Sequence, residues 1–282
     1  MKPKVISIIG GRGQMGAMFA KAFRSAGYKV LISGRDTPIS HVEAAERGDV
    51  VIVTVPIRYT EETLKKIGPH VRKGALLTDF TSVKMMPAKA MTKYSSAEVI
   101  AGHPVFGPTS GFAGHTYVLC PIRGESYLKW YKKFLTSLGL IVIIMTPKEH
   151  DRAMSKIQVL RYTCDLAFAT TLAKLGCSPD KDEALASPLY LMKTYEAGRL
   201  LSQDAKLYSD ISIENNFSKE IIDTFTDTSK ILQKIINNKD KEAYEKLFTE
   251  ASECFGEYSS NSVSITDELI KKLRKLQKKS LK

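Results

Sequence analysis

The chain has 282 residues, of which 43% are hydrophobic, and it carries a formal net charge of +12. This length allows a large core and one or two domains. No apolar run reaches the roughly 18 residues that a membrane-spanning helix needs, and the four cysteines are scattered without metal-ligand spacing. The first predicted strand leaves no room for a signal peptide. We therefore expect a cytoplasmic protein with reduced thiols, no metal centre and no membrane contact.

The positive charge is concentrated near the C-terminus, in residues 271–279. The leucines in this segment are spaced like one face of a helix, and no nucleic-acid-binding motif accompanies the charge. We interpret the segment as a solvated helix end and expect no nucleic-acid partner. The overall positive charge favours an anionic cofactor and an anionic substrate.

A glycine-rich motif lies between the first predicted strand and the first predicted helix. The apolar run 5–9 is typical of a buried parallel strand, and an amphipathic helix is predicted for residues 15–26. Three glycines between them, in the spacing GxGxxG, allow a tight turn, close approach of a pyrophosphate and close helix–strand packing. The helix N-terminus attracts the same anion. The predicted cofactor-binding residues here are Gly11, Arg12, Gly13, Gln14, Met15 and Gly16.

The end of the second predicted strand, residues 29–33, indicates which dinucleotide is bound. An acidic residue at this position would hydrogen-bond the ribose of NAD and repel the 2′-phosphate of NADP. The sequence here is Ser33-Gly34-Arg35-Asp36, in which small uncharged residues precede an arginine suited to phosphate. We therefore predict that NADP is preferred. Asp36 keeps NAD open, because a shift of one residue would make it the ribose partner.

Further apolar segments predict a Rossmann-type, doubly wound parallel sheet in an α/β domain of residues 1–147. The third strand ends at Val55 and Pro56, which we include among the cofactor-binding residues because ligands bind at the carboxyl edge of such sheets. The other strands are predicted at 75–79, 98–102, 117–120 and 140–145, with helices at 58–67 and 125–138.

Residues 148–282 are predicted to form an all-α domain. Apolar residues recur with the 3.6-residue period of helices at about 149–175, 181–200, 204–237, 240–260 and 265–278. The Ser187-Pro188 pair is a candidate break in the second of these helices. We expect this domain to bind the substrate and to pair with a second copy in a homodimer.

Several polar residues stand where they could act on a substrate. His103 follows the predicted strand 98–102 and could accept a proton as hydride leaves, or it could merely cap the strand. Ser82 could bind a substrate hydroxyl and Lys84 could supply charge, or they could be a helix cap and a solvated lysine. Arg199 could bind a carboxylate, although an exposed arginine is the simpler interpretation. His115 and His150 are other candidates for the proton acceptor, although His150 stands at a helix start, where capping is favoured.

Five stretches together resemble the prephenate dehydrogenases of tyrosine biosynthesis, above all the dehydrogenase part of the bifunctional chorismate mutase–prephenate dehydrogenases. The stretches are GGRGQMG, TDFTSVK, GHPVFGP, EHDRAMSKIQVLRY and SPLYLMKTYEAGRLLSQDAKLYSDI. The resemblance extends from Val5 to about Leu273, and the combination of GHPVFGP with AGRLLSQD is its most specific part. It implies an NAD(P)-dependent oxidative decarboxylation of prephenate to 4-hydroxyphenylpyruvate.

The resemblance also implies roles for individual residues. His103 would accept the proton of the ring hydroxyl, and Ser82 would bind both that hydroxyl and the histidine. Lys84 would belong to the polar network around the site. Arg199 would hold a substrate carboxylate, and Gln158 is grouped with it as substrate-binding.

The sequence also departs from the family pattern. Tyr162, which we group with the substrate-binding residues, stands where close relatives often have histidine. Leu191 replaces an arginine of the bifunctional enzymes, and the Ser33-Gly34-Arg35 end of the second strand lacks the acidic residue common in NAD-using members. These departures leave feedback inhibition by tyrosine open.

The sequence offers three alternatives to a prephenate dehydrogenase. Arogenate dehydrogenase uses the same chemistry on a substrate with an amine in place of the ketone, and no residue in the sequence decides between the two. A reductase of the β-hydroxyacid or imine type would use a lysine or aspartate in the first long helix, which offers Lys156 and Asp165. A non-catalytic dinucleotide-binding sensor is disfavoured because His103, Ser82 and Arg199 are all intact.

Overall fold

The computed structural model describes residues 2–177 and 179–280. The chain divides into two compact units. The first contains the described residues up to Val159 together with Lys206–Ser218. The second contains Leu160–Ala205 and the described residues from Lys219 onward. The first unit therefore extends past residue 147, the predicted end of the dinucleotide-binding domain.

A seven-stranded sheet forms the centre of the first unit. Its strands are β1 (Val5–Ile9), β2 (Lys29–Ser33), β3 (Val50–Val53), β4 (Leu76–Asp79), β5 (Glu98–Pro104), β6 (Thr116–Arg123) and β7 (Ile141–Ile144). Their order is β2-β1-β3-β4-β5-β6-β7, and every neighbouring pair is parallel except β5 and β6. The predicted doubly wound α/β sheet is confirmed. The strand order reverses at β1, because β2 lies on one side of it and β3 and the later strands lie on the other. A ligand crevice is expected at the carboxyl end of β1, where this reversal occurs.

Helices cover both faces of this sheet. They are α1 (Gln14–Ser25), α2 (His41–Arg47), α3 (Ile57–Ile67), α4 (Met85–Tyr94) and α5 (Leu128–Ser137). On one face, α1 and α5 bury Phe19 and Phe134 in one hydrophobic cluster. On the other face, α2, α3 and α4 bury Ala44, Leu64 and Met91 in a second cluster. The strands supply alternate side chains to the two clusters, as the period of a strand requires.

Strand β5 is longer than predicted, and this changes the setting of His103. The strand continues through His103 to Pro104, so the prediction of a loop beginning at residue 103 is wrong. The reason is the antiparallel partner β6, in which Val118 lies opposite His103 and Tyr117 lies opposite Pro104. Inter-strand pairing of this kind depends on a distant segment and cannot be read from local composition.

The second half of the chain is helical, as predicted. Its helices are α6 (Pro147–Met154), α7 (Arg161–Lys174), α8 (Pro179–Asp182), α9 (Pro188–Leu201), α10 (Ala205–Glu214), α11 (Ser218–Asn237), α12 (Lys241–Phe255) and α13 (Glu257–Ser280). A π-helical segment, Ser155–Leu160, joins α6 to α7 within the helix predicted at 149–175. Ser187 caps α9 by accepting a hydrogen bond from the Tyr190 N–H, which confirms the break at Ser187-Pro188.

Part of this helical half belongs to the sheet unit. Asp210 of α10 forms an ion pair with Arg58 of α3, with 2.7 Å between Nη2 and Oδ1. The Asn215 side chain donates a hydrogen bond of 2.8 Å to the Asp151 carbonyl. In the second unit, α7 packs against α9, and the basic segment lies in α13. Over the described ranges, no helix is both long and apolar enough to cross a bilayer.

Candidate active site

The glycine-rich turn after β1 leaves space for an anion at the start of α1. A Cβ atom on Gly16 would lie 2.7 Å from the Gly11 Cα and 2.9 Å from Thr54 Oγ1, so no larger residue fits there. Gly13 is the N-cap of α1, offers no side-chain acceptor, and is followed by a first turn without acidic residues. The N–H groups of this turn are therefore available to an anion, and these residues fit the pyrophosphate of a dinucleotide.

The loop after β2 is held by side-chain contacts. The Ser33 hydroxyl lies 2.6 Å from His41 Nδ1. Arg12 Nη1 donates to the carbonyls of Arg35 and Asp36, at 3.2 Å in each case. The Arg35 side chain itself is exposed. The structure thus brings Arg12 of the glycine-rich turn beside the predicted cofactor-selecting residues, while the Ser33 hydroxyl is already engaged within the loop.

A hydrogen bond joins the carboxyl ends of β1 and β3 at one edge of the sheet. Thr54 Oγ1 donates a hydrogen bond of 3.0 Å to the Ile9 carbonyl, immediately before the glycine-rich turn. Val55 is half-buried, and Pro56 is exposed and precedes α3 as its N-cap. The predicted cofactor-binding residues therefore converge on the carboxyl ends of three adjacent parallel strands, where dinucleotides bind in this kind of sheet.

Two strands further along, three side chains form a chain of hydrogen bonds. His103 Nδ1 lies 2.8 Å from His150 Nε2, and His150 Nδ1 lies 2.8 Å from Asp151 Oδ1. The Asp151 carboxylate also accepts the backbone N–H groups of Lys84 and Met85 at the start of α4, at 2.7 and 2.8 Å. None of the three side chains belongs to a residue more than 2% exposed. We call Asp151, His150 and His103 the relay.

A buried ion pair supports the backbone beside the relay. Lys84 Nζ pairs with Asp79 Oδ2 and donates to the Gly102 carbonyl, and both charged side chains are fully buried. Asp79 Oδ1 accepts the Gly102 N–H at 3.2 Å, and Asp79 Oδ2 accepts the Thr81 hydroxyl. Lys84 and Asp79 therefore hold the peptide that precedes His103. The alternative that Lys84 is solvated is wrong.

The surroundings of His103 keep its ring neutral. Burial lowers the pKa of His103 well below its ordinary value, and repulsion from the charge that His150 carries when protonated and from the charge of Lys84 lowers it further. Burial also lowers the pKa of His150, although its hydrogen bond to Asp151 acts in the opposite direction. A neutral imidazole is the form that can accept a proton.

One nitrogen of the His103 ring remains available. Nε2 has no hydrogen-bond partner among the described residues. Among the described residues, the fully buried side-chain nitrogen and oxygen atoms without a partner belong to Ser7, Thr78, Gln158 and Ser218, so His103 Nε2, which also lacks a partner, is not completely enclosed. It therefore keeps some access to the solvent, and it is the atom that a ligand could reach.

Three expectations based on capping are wrong. His103 does not cap a strand, because it lies inside β5 and its ring bonds to His150. His150 does not cap α6, because Thr146 does so and its Oγ1 accepts the Glu149 N–H at 3.2 Å. Ser82 is half-buried in the loop between β4 and α4, whose N-cap is Lys84 rather than Ser82.

The sequence-based candidates omitted two residues of the site, Asp79 and Asp151. A signal for each was present. Asp79 ends an apolar strand at the carboxyl edge of the sheet, and Asp151 directly follows a histidine near a helix start. What the sequence did not indicate was that both carboxylates would be buried against the elements that carry Lys84 and His103.

Gln158 lies in the π-helical segment and is 8% exposed. Its Oε1 is buried and makes no hydrogen bond within the described part of the chain. Such buried acceptors are uncommon and can accept a hydrogen bond from a ligand, and π-helical turns are frequent at functional sites. The structure is therefore compatible with the predicted substrate-binding role of Gln158.

The other two predicted substrate-binding residues lie in the second unit. Arg199 of α9 is exposed, and its guanidinium has no partner among the described residues. Tyr162 of α7 lies under Arg161, whose Cζ is 4.5 Å from the ring centroid. Fully buried Asp165 pairs with Arg161 at 2.9 Å and with Lys193. Tyr162 and Arg199 thus belong to two helices that pack together.

The glycine-rich turn and the buried, neutral histidine at one sheet edge define a nucleotide-binding α/β protein with a candidate proton acceptor. Comparisons with known proteins agree with this class. Residues 34–144 match the family model described as prephenate dehydrogenase, nucleotide-binding domain. Residues 146–250 match the model described as prephenate dehydrogenase, dimerization domain.

Curated relatives and solved structures cover nearly the whole chain. A protein of Methanocaldococcus jannaschii named "Probable arogenate/prephenate dehydrogenase" is 36% identical over 298 residues, covering 96% of this chain and 67% of the relative. The T-protein of Haemophilus influenzae is 30% identical, covering 96% and 72%. The crystal structure of A. aeolicus prephenate dehydrogenase with hydroxyphenyl propionate and NAD+ has a TM-score of 0.70 at 22% identity, covering 89% and 97%. The chain belongs to the prephenate dehydrogenase family of oxidoreductases.

Proposed function

We propose that the protein catalyses the NAD(P)-dependent oxidative decarboxylation of prephenate to 4-hydroxyphenylpyruvate. The observation that carries this proposal is His103, a buried neutral imidazole whose Nε2 is open at the carboxyl edge of the sheet. Lys84 and Asp79 fix the peptide before it. Membership of the family supplies the substrate class.

The reaction needs a proton acceptor and a hydride acceptor. When bound, the nicotinamide supplies the hydride acceptor for the ring carbon that carries the hydroxyl. His103 takes the hydroxyl proton as the hydride leaves. The bond to the ring carboxylate then breaks, its electron pair completes the aromatic ring, and carbon dioxide is released. Protonated His103 can return the proton to the phenol oxygen, which balances the reaction.

We assign the other candidate residues to binding. Ser82 would hold the substrate hydroxyl beside His103. Arg199 would bind a carboxylate with a charge-assisted hydrogen bond. Gln158 would donate or accept through an amide whose oxygen is otherwise unpaired. Tyr162 would contribute its ring or hydroxyl at the position where relatives often have histidine.

The alternative substrate is arogenate, which the name of the Methanocaldococcus relative includes. The deciding experiment is a steady-state assay of prephenate and arogenate against NADP and NAD, with tyrosine added in a final series. We expect a higher kcat/KM for prephenate. A higher value for arogenate would assign the protein to the second substrate, and turnover of neither would refute the proposed reaction. Exposed Lys156 and the fully paired Asp165 give no support to the reductase alternative.

We propose a preference for NADP over NAD. The residue after β2 is Gly34 rather than an acidic residue, and two arginines, Arg12 and Arg35, lie at this loop. Replacing Arg35 with alanine should lower kcat/KM for NADP about tenfold, the loss of one charge-assisted contact, and leave NAD little changed. The matched control is Arg47→Ala, which breaks an exposed ion pair with Glu43 on α2. Equal effects of Arg35→Ala on both cofactors would refute the preference.

We also propose a homodimer formed through the helical domain. Among the described residues, α11 and α12 contain none that is buried, and Phe248, Phe255 and Tyr258 are 69%, 60% and 70% exposed. Apolar surface of this extent usually marks an interface. Sedimentation should give a dimer mass for the wild type and a weaker dimer for Phe248→Asp. A monomeric wild type at micromolar concentration would contradict the proposal.

The domain boundary and the location are proposals of the same kind. We place the dinucleotide-binding domain at residues 1–147 and the helical domain at 148–282, and the two matched family models divide between residues 144 and 146. The four free cysteines, at positions 120, 164, 177 and 254, agree with a reducing compartment such as the cytoplasm.

A further inference from the structure

We propose that His150 and Asp151 are positioning residues that fix the tautomer of His103, so that its Nδ1 carries the proton and its Nε2 is the proton acceptor. This inference rests on the proposed function for its catalytic meaning, since it names the atom that receives the substrate proton. The geometry itself is independent of the substrate.

The first step of the argument concerns Asp151. Its Oδ1 accepts the Lys84 N–H and its Oδ2 accepts the Met85 N–H. Both oxygens of this carboxylate act as acceptors, as they do in an ionised carboxylate, which has no proton to donate. The contact of 2.8 Å between Asp151 Oδ1 and His150 Nδ1 therefore requires a proton on His150 Nδ1.

The second step concerns the two rings. A neutral imidazole carries one proton, so His150 with a proton on Nδ1 has a lone pair on Nε2. The contact of 2.8 Å between this atom and His103 Nδ1 needs one hydrogen, which must come from His103. His103 is then protonated on Nδ1, and its lone pair is on Nε2, the nitrogen that has no partner in the described part of the chain. The Asp151 carboxylate, held by two backbone N–H groups, thus fixes the protonated nitrogen of His150, and His150 in turn fixes that of His103.

One competing arrangement satisfies the same distances. If His150 were doubly protonated, it would donate to both Asp151 and His103 Nδ1, and neutral His103 would carry its proton on Nε2. That form could not accept a substrate proton at the open atom. Complete burial of His150 disfavours its charge, and the buried positive charge of Lys84 adds to this effect. Asp151 and Asp79 act in the opposite direction, but the pKa of His150 is still lowered below its ordinary value, which favours the neutral relay over the charged one.

The relay also explains how a buried site can hold the proton after transfer. When His103 becomes an imidazolium, its Nδ1–H still donates to His150, and the negative charge of Asp151 lies one ring further away. An orienting carboxylate behind an imidazole has this effect in hydrolytic triads, where it fixes the tautomer and stabilises the cation. Here the same two effects would act across two rings.

The tautomer can be measured directly. The chain has five histidines, so long-range ¹H–¹⁵N correlation spectra of histidine-labelled protein can be assigned by single substitutions. We expect His103 and His150 each to show a protonated Nδ1 and an unprotonated Nε2 in the wild-type protein near neutral pH. A proton on His103 Nε2 would overturn the proposal. This measurement needs no substrate, so it separates a failure of the relay from a failure of the proposed function.

Two substitutions at His150 provide the kinetic test. His150→Phe keeps an aromatic ring but removes the hydrogen-bond acceptor for His103. We expect kcat to fall about 10- to 100-fold, the range typical of orienting partners, with KM little changed. His150→Gln can accept from His103 through its amide oxygen and donate to Asp151 through its amide nitrogen, so it should restore most of kcat. If both variants turn over like the wild type, His150 does not position His103. If His150→Phe does not fold, the wild-type spectra and His150→Gln still decide the matter.

Discussion

Among the described residues, each of the two units contains a carboxylate with no exposed surface, and the two carboxylates are neutralised differently. In the sheet unit, Asp79 pairs with Lys84, whose side chain is also 0% exposed. In the helical unit, Asp165 pairs with Arg161 and Lys193, whose side chains are 51% and 37% exposed. A sealed pair depends on a single partner, because water cannot replace a lost charge, whereas a pair at the surface is partly screened. The pair in the sheet unit is therefore fixed by the folded chain, whereas the pairs of Asp165 in the helical unit are shared with solvent.

The same contrast separates the two kinds of candidate functional residue. His103 is enclosed and its partners are set by the folded chain alone. Arg199 is exposed and has no partner in the described residues. A base benefits from a preorganised position because no reorganisation is then needed during proton transfer. A carboxylate-binding arginine can gain its partner from the substrate.

The largest effect is expected for His103→Asn. Asparagine can keep the contact with His150 but cannot accept a proton, so kcat/KM should fall by about 10²–10⁴, the contribution of a general base. Steady-state assays with prephenate measure the loss, and circular dichroism checks the fold. The matched control is His70→Asn, an exposed histidine paired with Glu46, which should behave like the wild type. Normal turnover of folded His103→Asn would remove the base from the proposed mechanism.

The second-largest effect is expected in the stability of variants that remove the cation from each buried ion pair. Lys84→Met leaves the Asp79 carboxylate buried without its cation, and we expect the free energy of unfolding to fall by about 3–5 kcal/mol. Lys193→Met leaves Asp165 with Arg161, and the lost contact is partly exposed, so the cost should be about 1 kcal/mol or less. Denaturant titrations of both variants measure the two values. Similar losses of unfolding free energy in the two variants would show that burial of the cation does not distinguish the two ion pairs.

How far the sequence predicts this molecule depends on the range of the interactions involved. The bounds of β1 and β2 are predicted correctly because apolar runs and glycines act locally. The extension of β5 to Pro104 depends on pairing with β6, and the relay joins residues 47 positions apart. Spacing can place His103 and His150 on particular elements, but it does not show which faces meet. For the same reason, the sequence did not predict the contacts of Asp79 and Asp151.

A smaller effect than that of His103→Asn is expected for Arg199→Gln. The loss of a charge-assisted contact with a substrate carboxylate should raise the KM for prephenate about 10- to 100-fold, with little change in kcat if the contact is equally strong in the transition state. Arg274→Gln, an exposed arginine of α13, is the matched control. An unchanged KM would mean that the helical unit does not bind the carboxylate through Arg199.

The smallest expected effect is a displacement of the pH profile. The pKa of His103 is lowered first by burial, and then by repulsion from the charge that His150 carries when protonated and from the charge of Lys84. Protonation abolishes a base, so the acid limb of kcat/KM should lie below the ordinary histidine value of about 6.5. Profiles between about pH 5 and 8 would show it. An acid limb at or above the ordinary value would mean that the enclosed histidine is not the titrating base.

The same lowered pKa has a consequence for stability with a definite sign. Between the folded and the ordinary unfolded values, the unfolded chain binds more protons at His103 than the folded chain does, so stability falls as the pH decreases through this window. His103→Asn should reduce this slope. Denaturant midpoints at successive pH values measure the slopes. Together with the kinetic profile, they test whether the isolation of His103 from solvent sets both its reactivity and its cost to the fold.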